Sequence, residues 1–185
     1  MTNKLNYVFI ILLLSIGGCA TASKTQQPAQ GAIFYPLKPE EPRLQFLTSF
    51  SSSGDFEAPP GAFRKFIADE IQNTKPIIKP YGIAVHDDKI YVCDTVNNGI
   101  DILDLKKRKF EYFKSKNTSQ LIDPVNLCFD ADGGMYVADS RRGQVVIYNS
   151  GQECVGTIGN KSELKPTDVL IRADKIYICD LKTSS

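Results

Sequence analysis

One segment of the sequence occurs three times, and this repetition limits the folds open to the chain more than any other feature. The copies cover residues 79–85, 123–129 and 165–171. Successive prolines in the copies, Pro80, Pro124 and Pro166, are 44 and 42 residues apart. Each copy leads to a tyrosine-containing run that ends in an aspartate, and these aspartates are Asp94, Asp139 and Asp180. A period of this length is typical of proteins built from stacked supersecondary units.

The repeated unit is rich in strand-forming residues. Tyr, Val and Ile fill short runs bounded by Asp, Lys and Gly, a pattern that predicts strand, turn and strand. Third strands are predicted at residues 100–104 and 145–148, and fourth strands at 110–113 and 155–158. Four strands in about 43 residues is the size of one blade of a β-propeller. We therefore predict an all-β fold, a β-propeller with blades that start near residues 80, 124 and 166.

The type of blade is indicated by its motifs. The sequence contains no tryptophan, so the Trp-Asp dipeptide of WD40 blades is absent. Residues 80–104 carry Pro-x-Gly-Ile-Ala-Val, then Ile-Tyr-Val-x-Asp-Thr, then Gly-Ile-Asp-Ile-Leu, a pattern that resembles the NHL repeat. Residues 124–149 are similar, but Asn126 replaces the glycine, as Asp168 does in the third copy. Residues 32–185 as a whole resemble bacterial lipoproteins with six-bladed NHL propellers.

The first 18 residues predict a signal peptide. Lys4 precedes an apolar run at residues 7–14 that is too short to span a bilayer but has the length of a signal-peptide core. The run Leu-Ser-Ile-Gly-Gly-Cys that ends at Cys19 resembles the lipobox of bacterial lipoproteins. The resemblance implies cleavage between Gly18 and Cys19, acylation of Cys19 and, with Ala20 next, an outer-membrane location in an organism with two membranes. The alternative is an ordinary secretory signal with a chance cysteine.

Two further segments precede the first blade. Residues 19–42 are polar and contain regularly spaced prolines, which predicts a lipidated tether of extended conformation. Residues 43–79 are predicted to hold a lone outer strand at 43–50 and a short amphipathic helix that caps the propeller. The helix is predicted from the spacing of four apolar residues, Phe63, Phe66, Ile67 and Ile71.

The predicted propeller is incomplete. Residues 80–185 amount to about two and a half blades, whereas propellers have four to eight. We therefore expect the sequence to be the N-terminal part of a protein of about 340 residues, as six blades of about 43 residues together with the segments before the first blade would require. The alternative is that two short chains assemble to close one ring.

The aspartates at the end of each second strand are the main candidate site. Asp94, Asp139 and Asp180 share one repeat position, so they could form a ring of carboxylates at one mouth of the central channel. Alternatively, each accepts hydrogen bonds from backbone N–H groups of the following turn, which is a common use of aspartate. The second interpretation is favoured, and the three aspartates are predicted to be structural.

No metal or cofactor site is predicted. Residues 130–134 have a calcium-like spacing of aspartates, but they lack a third oxygen ligand and the distant glutamate, so we predict an Asp-Gly turn. His86 is the only histidine, and a zinc site needs several nitrogen or sulfur ligands. Four cysteines of the repeats are interpreted as small core residues, namely Cys93, Cys128, Cys154 and Cys179.

The sequence favours a binding protein over an enzyme. It has no nucleophile-elbow, zinc-protease or P-loop motif, and it predicts no catalytic residue. Without residues 1–18 the chain has 21 basic and 21 acidic residues, so it has no general attraction for nucleic acid. We expect a lipid-anchored scaffold of the cell envelope that binds a protein or glycan and contacts the membrane through its lipid. The alternative is an envelope hydrolase or lyase of the NHL-propeller type with its metal or catalytic residues in further blades.

Overall fold

The computed structural model describes residues 32–58, 74–117 and 120–182. The chain divides into two compact units, with the boundary between Thr48 and Ser49. The predicted signal peptide, Cys19 and the predicted capping helix near residues 63–71 lie outside the described residues. Within the described ranges, no helix has the length and apolar character needed to cross a bilayer.

The first unit contains a two-stranded antiparallel hairpin. Its strands are β1 (Ile33–Tyr35) and β2 (Leu44–Phe46). The sequence predicts an extended tether up to residue 42 and, at 43–50, a lone outer strand of the kind that completes the last blade of a propeller, whereas in the structure residues 44–46 pair with residues 33–35. The reason is that Ile33 is β-branched and the two residues after it are aromatic, a composition that favours a strand over an extended spacer.

The second unit is built from antiparallel sheets that follow the sequence repeats. Repeat 1 contains β3 (Pro80–His86), β4 (Lys89–Asp94), β5 (Gly99–Asp104) and β6 (Lys109–Tyr112). Repeat 2 contains β7 (Pro124–Phe129), β8 (Met135–Asp139), β9 (Gln144–Tyr148) and β10 (Cys154–Ile158). Repeat 3 contains β11 (Pro166–Arg172) and β12 (Lys175–Asp180). Within each sheet, strands that are consecutive in sequence are neighbours. The prediction of an all-β fold with two four-stranded sheets and a further hairpin is confirmed, and this architecture is β-propeller-like.

Consecutive repeats stack face to face. Side chains of a strand alternate between the two faces of its sheet, so a sheet can have apolar residues on both faces and pack on a repeat at each side. One face of repeat 1 packs on one face of repeat 2 through Tyr91, Cys93, Ile100 and Ile102 on one side and Leu127, Met135, Val137, Val146 and Tyr148 on the other. The opposite face of repeat 2 packs on Val169 of repeat 3. We term the face that a repeat turns toward its predecessor the leading face, and the face that it turns toward its successor the trailing face.

A preceding segment covers the outer half of the leading face of repeat 1. Helix α1 (Ser53–Phe56) is a single turn, and its fully buried Phe56 packs with Val92, Leu103 and Phe110. The Glu57 carboxylate accepts a hydrogen bond from the Phe110 N–H, and the Lys75 ammonium donates one to the Phe110 carbonyl. The outward backbone groups of edge strand β6 are therefore satisfied at Phe110, which protects this edge from pairing with another strand.

The close approach of the first strands explains the residues at the repeat glycine. A Cβ atom at Gly82 would lie 2.6 Å from the Asn126 Cα atom, so repeat 1 cannot carry a side chain there without moving a neighbouring backbone. In repeats 2 and 3 the residues that replace this glycine bind each other, because the Asn126 amide donates a hydrogen bond to the Asp168 carboxylate. The departures from the repeat pattern thus link repeats 2 and 3.

Candidate functional site

The repeated aspartates bind backbone N–H groups. Asp94 and Asp139 are fully buried. The carboxylate of Asp94 accepts hydrogen bonds at 2.6–3.2 Å from the N–H groups of Ile78, Lys79, Val96 and Asn97. The other two carboxylates accept equivalent bonds, Asp139 from Ile122, Asp123 and Arg142, and Asp180 from Lys165 and Lys182. Each aspartate therefore ties the segment that enters a repeat to the turn after its second strand, which is the geometry of a capping residue.

The pKa of Asp94 reflects this arrangement. Burial raises the pKa of the carboxyl, but the backbone hydrogen bonds, of which that from Asn97 lowers the pKa most, outweigh burial and hold the pKa below its usual value. A lowered pKa means that the bonds stabilise the fold above the pKa of the unfolded chain, and that this stabilisation is lost as the pH falls through the folded-state pKa.

Asp101 on β5 is a buried carboxyl for which the described part of the chain supplies no partner. Neither of its carboxylate oxygens has a hydrogen-bond partner there. Burial, and to a lesser degree the charge of Asp94, raises the pKa of Asp101 to about 7. The residue lies on the leading face of repeat 1, at the position that Val146 occupies in repeat 2. Sequence analysis missed it, although the alignment of the repeats carries the signal, a carboxylate at an otherwise apolar position.

A groove opens where the first turns of repeats 1 and 2 lie side by side. Between β3 and β4, Asp87 and Asp88 have φ values of 47° and 57°, the left-handed conformation that a type I′ turn requires at both central positions. Between β7 and β8, the carboxylate of Asp130 accepts hydrogen bonds from the N–H groups of Asp132 and Gly134. Asp130 is thus engaged in turn formation, and no cluster of three or more potential metal-ligating side chains occurs among the described residues.

Aromatic rings from both repeats meet in this groove. The His86 ring stacks on Phe129 with centroids 4.3 Å apart and planes at 7°. The Tyr91 ring lies 4.7 Å from Phe129 at 57°. Gly133 lies beside the imidazole, where a Cβ atom would be in ordinary contact at 3.4 Å from the His86 Nε2 atom, and its φ of 80° is the left-handed conformation that favours glycine. His86 is therefore part of an aromatic stack at the junction of two repeats.

The groove encloses a cavity of about 280 Å³. Its apolar wall consists of Tyr91, Phe113, Phe129 and Met135. Its polar groups include Asp87, Asp132, Asn149, Ser150 and Gln152 from turns and Lys89 from the start of β4. An apolar wall with a few convergent polar groups is the usual composition of a small-molecule site. The carboxylates and amides of the groove can bind the hydroxyl groups of a polar ligand such as a glycan.

Sequence analysis did not identify the groove. His86 and Phe129 lie on first strands of different repeats, and they meet only because the repeats stack. The available signal is weak, since it consists of aromatic residues near the ends of strands that lead into polar turns. A second cavity of about 550 Å³ lies at the turn after β4 and is rich in amides, among them Asn97, Asn98, Asn117 and Gln120.

The four described cysteines are free, and their environments predict different reactivities. Burial, reinforced by the charges of Asp101 and Asp139, raises the pKa of Cys93 to about 12, and burial raises that of Cys128 to about 11. Cys179 is exposed. Because the thiolate is the reactive form, we expect iodoacetamide near neutral pH to modify Cys179 in the native protein and to leave Cys93 unmodified. Peptide mass spectrometry measures this, with the urea-unfolded protein as control; early modification of Cys93 would contradict its burial.

The described sheets define the chain as an all-β protein of β-propeller-like architecture. No family model matches the sequence, and no curated protein sequence is significantly similar to it. Among solved structures, the chain is similar to hydrazine synthase of Kuenenia stuttgartiensis, with 20% identity and a TM-score of 0.42. The similar region covers 56% of this chain and 30% of that chain, so the chain matches less than a third of the neighbour. A similarity at this level carries no argument about activity.

Proposed function

We propose that the protein is a lipid-anchored β-propeller of the NHL type that binds a glycan of the cell envelope in the groove between repeats 1 and 2. The observation that carries the proposal is the combination, in one cavity, of stacked aromatic rings and polar turn residues from both repeats. The lipobox-like sequence ending at Cys19 supports the location. In this scheme the lipid holds the protein at the membrane and the propeller-like body binds material beside it.

The groove is tested by replacing one polar group of the cavity. We expect Asp132→Ala to weaken binding of an oligosaccharide about tenfold, because a carboxylate that accepts a sugar hydroxyl contributes more than a neutral acceptor. Asp174→Ala is the matched control, since Asp174 is an exposed aspartate in the equivalent turn of repeat 3. The measurement is calorimetric titration with a panel of neutral envelope oligosaccharides. Failure of the wild-type protein to bind any of them, or an equal effect of both variants, would contradict the groove as a glycan site.

The anchor is tested by Cys19→Ser in a bacterial host. We expect the substitution to abolish incorporation of radiolabelled palmitate and to reduce partition into the detergent phase, since two or more acyl chains are needed for stable anchoring. Cys179→Ser is the control and should leave both unchanged, because Cys179 lies in the body of the protein. Palmitate incorporation that persists in the Cys19→Ser protein would refute lipidation at this residue.

A further inference from the structure

The only histidine of the sequence, His86, lines the groove between repeats 1 and 2. Its ring stacks on Phe129 with centroids 4.3 Å apart, and its Nε2 atom lies 3.4 Å from the Asp87 Oδ2 atom. The imidazole side chain is 26% exposed, so water can reach it to deliver or remove a proton. An imidazole is the side chain that ordinarily changes charge between about pH 5 and about pH 8. The groove therefore contains a group that can respond to small changes of pH.

Protonation of the imidazole changes its contact with Asp87. The Asp87 side chain is 82% exposed, so its carboxylate is accessible to a ligand while the imidazole is neutral. An imidazolium donates a charge-assisted hydrogen bond to a carboxylate and offsets its negative charge. The face of an aromatic ring stabilises a cation placed over it, and the ring of Phe129 already lies against His86. Both neighbours of the imidazole thus favour its protonated form, and that form engages Asp87.

The other charged groups near His86 leave few carboxylates for a ligand. Lys89 and Asp104 lie in the same cross-strand row as His86 and offset each other's charge. In the facing turn of repeat 2, the Asp130 carboxylate binds backbone N–H groups. The turn after β9 contributes neutral side chains to the cavity, namely Asn149, Ser150 and Gln152. Among the described residues that line the cavity, the carboxylates are those of Asp87 and Asp132, so protonation of His86 offsets the charge of one of the two.

We propose that His86 is a pH switch of the groove, and that its protonated form holds Asp87 and weakens the binding of a neutral glycan. The inference rests on the proposed function, because it takes the groove as the glycan site. A hydrogen bond to a charged acceptor is stronger than one to a neutral acceptor, so loss of the Asp87 charge should raise the dissociation constant about fivefold. Binding and protonation affect each other reciprocally. A glycan that binds better to the neutral form therefore expels the proton of His86.

The test is calorimetric titration of the full-length protein with tri-N-acetylchitotriose, a neutral oligosaccharide, at about pH 5.5 and about pH 8. We expect a dissociation constant about five times larger at the lower pH. Near about pH 6.5 binding should release protons, seen as a heat of binding that depends on the ionisation enthalpy of the buffer. His86→Phe keeps a ring for the stack on Phe129 but cannot be protonated, so its affinity should be the same at both pH values. Asp87→Asn removes the charge on which the switch acts and should likewise bind without pH dependence.

Asp101→Asn is the matched control. Asp101 also titrates in this interval, since burial raises its pKa to about 7, but it lies on the opposite face of the sheet from His86. This variant should keep both the affinity and the pH dependence of the wild-type protein. Circular dichroism at both pH values establishes that each protein is folded.

The outcomes separate the switch from the site. Equal affinities of the wild-type protein at the two pH values would overturn the switch and leave the glycan site intact. A pH dependence that persists in His86→Phe or in Asp87→Asn, or that Asp101→Asn removes, would also overturn the switch. Absence of binding at both pH values would contradict the proposed function and the switch together.

Discussion

Replacing Asp101 with asparagine is expected to raise the free energy of unfolding by about 3 kcal/mol at about pH 8. The pKa of Asp101 is raised to about 7 from its unfolded value of 3.8, so the folded protein binds this proton more tightly than the unfolded chain does. The stability that the protonated form provides is fully present below the unfolded pKa and is lost as the pH rises through the folded pKa. Above about pH 7 the wild-type fold therefore contains a buried carboxylate that has no hydrogen-bond partner among the described residues, and the neutral amide removes this charge.

The pH dependence separates this effect from a change in packing. The increase in the free energy of unfolding that Asp101→Asn produces should be larger at about pH 8 than at about pH 5, by about 2 kcal/mol. Asp101→Val, which introduces the residue found at the equivalent position of repeat 2, should stabilise at both pH values, because it also adds apolar burial. Urea unfolding followed by circular dichroism measures both. A loss of stability on Asp101→Asn at about pH 8 would show that the ionised carboxylate has a partner.

Replacing Asp94 with alanine is expected to lower the free energy of unfolding by about 4 kcal/mol. The substitution leaves four backbone N–H groups without their acceptor, in the segment before β3 and in the turn after β4. Burial prevents water from fully replacing the carboxylate, so each group carries part of its desolvation cost. The urea concentration at the midpoint of unfolding should fall in proportion to this loss of stability.

Two further variants calibrate the Asp94 result. Asp94→Asn keeps one side-chain oxygen as an acceptor and should therefore cost less than alanine. Asp174→Ala changes an exposed aspartate of the turn between β11 and β12, and a surface substitution of this kind should change stability by about 0.5 kcal/mol or less. Equal effects of Asp94→Ala and Asp174→Ala would mean that the hydrogen bonds of Asp94 do not stabilise the repeat.

The strand pattern of the repeats could be predicted because it is local. Tyr91 and Val92 alternate between faces in a run of strand-forming residues, and the turns beside them contain Asp and Gly, so each strand is determined by its immediate sequence. The β1–β2 hairpin is harder to predict, because the prolines at residues 36–42 indicate an extended spacer while the short aromatic run at 33–35 indicates a strand. Both patterns are local, and the structure shows that the aromatic run forms a strand.

The groove and the buried carboxyl could not be predicted from one repeat alone. The stacking of His86 on Phe129 depends on how far repeat 2 is rotated against repeat 1, and no short stretch of sequence encodes that rotation. Asp101 has an ordinary position in a strand with alternating residues, and nothing in that strand alone shows that the residue is fully buried in the folded protein. Both features arise from packing between segments that are distant in sequence.

The cover over repeat 1 also has a consequence for the order in which the protein acquires its structure. Helix α1 and Glu57 precede β3 in the chain, and they shield the outer apolar half of the first sheet. Synthesis delivers the amino-terminal part first, and domains generally begin to fold in that order. The segment that covers the outer half of the first sheet is therefore synthesised before the second sheet, which covers the trailing face. The order of synthesis is thus also the order in which these two parts of the first sheet can be covered.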